Sequence, residues 1–164
     1  MGDPKHPKKK YNTPRHPWEK ERIETEKVLM NEYGLSNKKE IWRANSLLSK
    51  FKSQAKKCAA ADTAQLKKES EQLLTRLKKF GLLKTDGSHD DVLGLSVDDL
   101  LQRRLQTIVF KKKLASSVKQ GRQFIVHGHV IVNSKKVTVP SYMVSLDEES
   151  KISITGVVAE QKNE

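Results

Sequence analysis

The stretch Phe124-Ile125-Val126-His127-Gly128-His129-Val130-Ile131-Val132-Asn133-Ser134-Lys135-Lys136-Val137-Thr138-Val139-Pro140 decides the fold, because its hydrophobic period changes within it. Up to Val126 the apolar residues follow helical spacing, from a start at Ser117-x-x-Gln120, and Gly128 supplies the stop. Beyond it, His129–Val132 and Lys136–Val139 alternate as two strands joined by a turn at Asn133-Ser134-Lys135, and Pro140 ends the second. Ile152-Ser153-Ile154 reads as a third strand. Upstream, Ser96-x-x-Asp99 is a capping box. It opens a helix with Val97, Leu100, Leu101, Leu105 and Ile108 inward and Arg103 and Arg104 outward.

The N-terminal half reads as helices throughout. A charged helix runs from Trp18 to Tyr33, with Ile23, Leu29 and Met30 on a thin stripe and Gly34 as its stop. Asn37-Lys38-Lys39-Glu40 has the form of a second capping box. The helix it opens carries Ile41, Ala44, Leu48, Phe51 and Ala55 on one face and Arg43, Lys50, Lys52, Lys56 and Lys57 on the other. Asp62 is placed to cap a third helix bearing Leu66, Leu73, Leu77 and Phe80, closed by Gly81. Residues 84–95 read as a connector. The fold class is therefore α+β and mostly helical. Residues 1–17 form a basic extended arm, 18–95 a helical domain, 96–158 a helix–helix–hairpin module and 159–164 a tail.

Charge points to the partner. The 164 residues carry 32 Lys plus Arg against 20 Asp plus Glu, a net charge of +12. Only 35% are hydrophobic, below the usual 45–50% or so. Between Asp99 and Asp147 there is no acidic side chain, but there are nine basic ones: Arg103, Arg104, Lys111, Lys112, Lys113, Lys119, Arg122, Lys135 and Lys136. A folded segment of one sign repels itself unless a polyanion neutralises it. The acids lie outside it, five of them in residues 86–99 and five from Asp147 onward. In the first twenty residues Lys5, Lys8, Lys9, Lys10, Arg15 and Lys20 alternate with Pro4, Pro7, Pro14 and Pro17. Such a chain builds neither helix nor core. It is either a disordered tail or localisation signal, or an arm that lies along phosphates and orders there.

Catalytic and metal signatures are weak. Cys58 stands alone and reads as a half-buried packing residue, with no Cys-x-x-Cys to hold zinc. His127-Gly128-His129 leaves three readings open: a metal pair lacking a third ligand, a phosphate or base contact, and turn packing. Asp90-Asp91 and Asp98-Asp99 sit at helix starts, where acids stabilise the dipole. Trp18 and Trp42 read as packing anchors more readily than as stacking platforms. No phosphate-cradling loop or nucleophile elbow occurs, and the expectation is a protein that is not an enzyme and needs no cofactor or metal. Apolar runs are far shorter than the roughly 20 residues of a membrane helix. With Met1–Pro7 carrying no secretory stretch, the expected setting is soluble and cytoplasmic, with no membrane partner.

Several runs together resemble one known family. They are Arg103-Arg104-Leu105-Gln106-Thr107, Leu114-Ala115-Ser116-Ser117, Gly121 through Asn133, and Val139-Pro140-Ser141-Tyr142. These are similar to the small RNA-binding module of the small-subunit ribosomal protein number four family. Lys8–Tyr11, Thr13–Trp18, Glu32–Leu35, Asn37–Arg43 and Leu93–Leu95 resemble its archaeal and eukaryotic form, so the resemblance spans nearly the whole chain. It implies a structural protein, monomeric within the ribosome, that clamps a 5′-domain junction of small-subunit ribosomal RNA. It also implies early binding in assembly, a place near the messenger entry side, an influence on decoding accuracy, and contact with neighbouring proteins, notably number five.

Carried over, the module's RNA face comprises Arg103, Arg104, Ser116, Ser117, Lys119, Gln120, Arg122, Gln123, His127, His129, Asn133, Lys135 and Lys136. The N-terminal part adds Lys8, Lys9, Lys10, Tyr11, Arg15, Trp18 and Arg43. Many relatives have Asn-Gly at the hairpin turn, where this chain has Asn133-Ser134. Serine tolerates a left-handed backbone less well, so a longer or different turn is expected. The zinc knuckle of some bacterial members does not transfer. The module also occurs on RNA-modifying enzymes, but about 80 residues before the connector are too few for a catalytic domain. A stand-alone factor acting on ribosomal particles is the other alternative.

Overall fold

The computed structural model describes residue 2, residues 8–60 and residues 63–155. Expectations for Lys5, Pro4, Pro7, the Asp62 cap and the tail 159–164 lie outside these residues. The elements run α1 (Lys20–Glu32), α2 (Lys38–Ala60), α3 (Ala64–Lys79), α4 (His89–Gly94), α5 (Val97–Gln102), α6 (Leu105–Lys111), α7 (Val118–Val126), β1 (Val130–Val132), β2 (Lys135–Lys136), α8 (Leu146–Glu149) and β3 (Ile152–Ile154). The mostly helical α+β reading holds. Among the described residues no helix is long and apolar enough to cross a membrane.

One long helix organises the N-terminal half. The apolar stripe of α2 divides along its length. Ile41 packs with Tyr33, Leu35 and Leu101, while Leu48, Phe51 and Ala55 pack with Leu73 and Leu77 of α3, Val92 of α4, Leu95 and Leu100. A second core holds Leu105, Ile108, Val109, Ala115, Ile125, Val130, Val132, Val144 and Ile152. Side-chain packing therefore changes partners between Leu101 and Leu105, so α5 joins the N-terminal helices.

That change coincides with a break in what reads as one helix from residue 96. Arg104 is extended (φ −72°, ψ 143°) and forms a bridge with Met143. Leu105 N–H donates to the Tyr142 carbonyl at 2.8 Å, and Val144 N–H to that of Arg103 at 3.1 Å. These cross-chain bonds take backbone groups that a continuous helix would use, and they turn both arginines inward rather than to solvent. Two short helices also go beyond the sequence reading. α4 interrupts the expected connector behind a Ser88–Asp91 capping box, and α8 follows a Ser145–Glu148 box.

The three-stranded antiparallel sheet has the order β2-β1-β3, with Val132 opposite Lys135 and Val130 opposite Ile154. The hairpin loop is thus two residues, tighter than expected. Asn133 and Ser134 have φ of 52° and 63°, both positive as a type I′ turn requires. Serine pays a conformational penalty there that glycine does not. Ser134→Gly is expected to raise stability by about 0.5–1 kcal/mol, measured as an increased urea midpoint with unchanged slope.

Candidate nucleic-acid interface

The three arginines of the acid-free segment turn away from solvent. Arg104 is 6% exposed and its guanidinium donates to Glu40 on α2. Arg122, on α7, places its two terminal nitrogens on the two oxygens of the same carboxylate, at 3.0 and 3.3 Å. Arg103 donates to Glu149 at 2.9 Å and to the Val144 carbonyl at 3.2 Å. Buried Gln106 completes the junction, donating to the Tyr33, Gly34 and Val118 carbonyls. Glu40 thus serves only marginally as a cap acceptor, with Ser36 N–H 3.4 Å away. Sequence reading assigned it to capping and passed over its charge and Gln106.

Two serines and an amide set the start of α7. Ser117 Oγ accepts from Gln120 N–H at 3.2 Å, and the Gln120 side chain turns back to accept from Ser116 N–H at 2.7 Å and from the Ser116 hydroxyl. Lys119 and Gln123 are exposed on the helix beyond. Its end meets the hairpin. Gly128 is left-handed (φ 76°), and a Cβ there would stand 2.2 Å from Lys136 Cε, so the Lys136 stem crosses over the glycine. His129 meets the Phe124 ring edge-on and lies 6.3 Å from the His127 ring. Among the described residues no group of three His, Cys, Asp or Glu is placed to hold a metal ion. The sidedness is clear: Lys119, Gln123, His127, Asn133, Lys135 and Lys136 point to solvent with no acid among them.

The arm has its own seat. Tyr11 lies 6.0 Å from the Trp42 ring, and Asn12 N–H donates to Ser46 Oγ at 2.9 Å. Lys9 and Lys10 then border an open cleft of about 510 Å³, which α2 lines with Ser46, Ser49, Lys50, Ser53 and Lys57. Those α2 residues were legible only as a polar face. Lys8, Arg15 and Arg43 are exposed. The tryptophans divide. Trp42 packs and donates its indole N–H to the buried Glu26 at 2.9 Å, whereas Trp18 is 90% exposed and makes no ring contact or hydrogen bond among the described residues.

Half-buried Glu40 and buried Glu26 both carry a pH signature. For Glu40, burial pushes the carboxyl up, but the bonds from Arg122 and Arg104 outweigh it and hold it below the ordinary 4.5. Glu26 is also lowered, with burial overcome by Trp42, Arg22 and Lys38. A depressed carboxyl stabilises the fold above its unfolded value and loses that contribution as pH falls below about 4.5 and through the folded value. Glu40→Gln should therefore cost about 3 kcal/mol at pH 7 by leaving two inward guanidinium groups uncompensated. It should also flatten the loss of stability below pH 4.5, as denaturant melts at a series of pH values would show.

Comparisons with known proteins match this architecture. The model of the ribosomal protein S4/S9 N-terminal domain matches residues 5–102, and that of the S4 domain matches residues 103–150. The chain is 54% identical to the small ribosomal subunit protein uS4 of Methanococcus aeolicus, over 93% of this chain and 87% of that protein. It is 50% identical to that of Thermoplasma volcanium, over 93% and 78%, and 51% identical to that of Saccharolobus solfataricus, over 93% and 84%. With two family models meeting where the packing changes partners, the chain belongs to uS4, a structural, non-enzymatic family of small ribosomal subunit proteins.

Proposed function

We propose that this protein binds small-subunit ribosomal RNA directly and early, at the junction of the 5′ domain. There it would nucleate assembly and support decoding accuracy near the messenger entry side, beside protein number five. It would work as a monomer within the cytoplasmic ribosome. The observation that carries this reading is the sorting of charge in the acid-free segment. Its arginines are spent on internal acceptors, while Lys119, Lys135 and Lys136 stand in solvent beside Gln123, His127 and Asn133. Lysines supply phosphate neutralisation, and the amides and imidazoles can reach sugar hydroxyls or base edges. The arm and the α2 cleft add Lys9, Lys10, Lys50 and Lys57 as a second cationic tract.

The test is binding of the full chain to a 5′-domain transcript across a salt series, with a DNA duplex of equal length as competitor. The logarithm of the affinity should fall linearly with log salt, and binding should survive the DNA. Equal, salt-labile binding to both polymers would reduce the reading to general polyanion affinity. Lys119→Ala and Lys135→Ala should each weaken binding and lower the salt slope by about one. Arg104→Ala should instead show itself as lost stability, with the slope unchanged.

A further inference from the structure

The outer face of α1 runs against the charge of the rest of the molecule. Glu21, Glu24, Thr25, Val28 and Glu32 recur at helical spacing on one side and all are exposed. Val28 keeps 64% of its surface in solvent, the most of any exposed aliphatic side chain in the described residues. No basic residue lies on this line. The arginine of the helix is drawn off it. Arg22 bonds Glu26 and the carbonyls of His16 and Pro17. Among the described residues Lys20 is the only cation within ion-pair range of these three carboxylates, 3.9 Å from Glu24, and with 89% of its side chain exposed it neutralises little. The inner face is already used, with Leu29, Met30 and Tyr33 packed against Ile41 and Leu101.

We infer that this outer face of α1 is a docking surface for a basic segment of a neighbouring protein, whose lysine or arginine heads meet Glu21, Glu24 and Glu32 while their aliphatic stems cover Val28. Phosphate is the wrong sign for the site, since three local carboxylates repel it. The inference rests on the ribosomal RNA reading in one respect. On that reading a neighbour that also binds RNA carries basic segments, and an acidic helix face gives such a segment a place to pack that does not compete for phosphate.

The test uses the full chain carrying the photo-cross-linker p-benzoylphenylalanine at Thr25, assembled into small subunits in cells. Irradiation should join it to a lysine- or arginine-rich segment of another ribosomal protein. The triple variant E21K/E24K/E32K should cut that product about tenfold, and Val28→Ser should cut it less. Circular dichroism should show the helices intact in both variants. A cross-link to RNA, a cross-link to a second copy of this chain, an absent product, or a product indifferent to the charge reversal would each overturn the proposal. Transcript binding keeps the two readings apart. The triple variant should bind the 5′-domain transcript at least as tightly as the parent, and failure of the parent to bind it would count against the RNA reading alone.

Discussion

One carboxylate holds the two halves of this protein in register. Glu40, at the start of α2, accepts from Arg104 and Arg122, residues 64 and 82 positions away in the chain. Buried ion pairs are weak sources of net stability, because desolvation consumes most of the attraction. They are strong sources of specificity, because any other arrangement leaves a charge uncompensated. Here the arrangement fixes α7 against the helical half, while Gln106 ties the same region to the end of α1. These bonds lie beside a small cavity lined by Ala44, Leu47, Leu100 and Met143, so polar contacts close the junction where apolar packing leaves a gap.

Seen this way, the basic segment contains two populations of charge. Arginine's rigid fork suits a carboxylate or carbonyl inside the protein, and lysine's flexible, well-hydrated ammonium suits a solvent-facing position. Arg103, Arg104 and Arg122 take the first role, joined by half-buried Lys112, which donates to the Glu149 carbonyl, while Lys111, Lys113, Lys119, Lys135 and Lys136 take the second. A count of positive residues along the sequence does not separate the two, although the net charge is the same.

Much of the fold was legible for identifiable physical reasons. The capping box at Ser96, the Ser117 cap and the glycines at 34, 81 and 128 mark helix ends through local chemistry, and the change of period after Gly128 marks the sheet. What stayed hidden depends on residues distant in sequence. The interruption at Arg103-Arg104 is imposed by pairing with residues 142–144, and no local propensity announces it. The inward turn of Arg104 follows from that pairing. The fate of Glu40 was hidden because a glutamate three residues into a helix already has a sufficient local explanation. By contrast α4 and α8 carry the same Ser-x-x-acid signal that located α5, so their signal was present in the sequence. At the candidate interface the residue types and their absence of acids were readable, but which of them face solvent was not.

The order of strands has a consequence for synthesis. β1 lies between β2 and β3, and β3 is contributed by residues 152–154, downstream of the hairpin. Until those residues leave the exit tunnel, the sheet is a two-stranded hairpin, which by itself is marginal in water. The Ile152 side chain is also missing from the core it later joins with Val130 and Val132. The arm and α2, with the cleft between them, precede the module in the chain and are in place while it is still unfinished. Translation from the N-terminus thus imposes an order on the two surfaces: the helical half is available before the hairpin surface is complete.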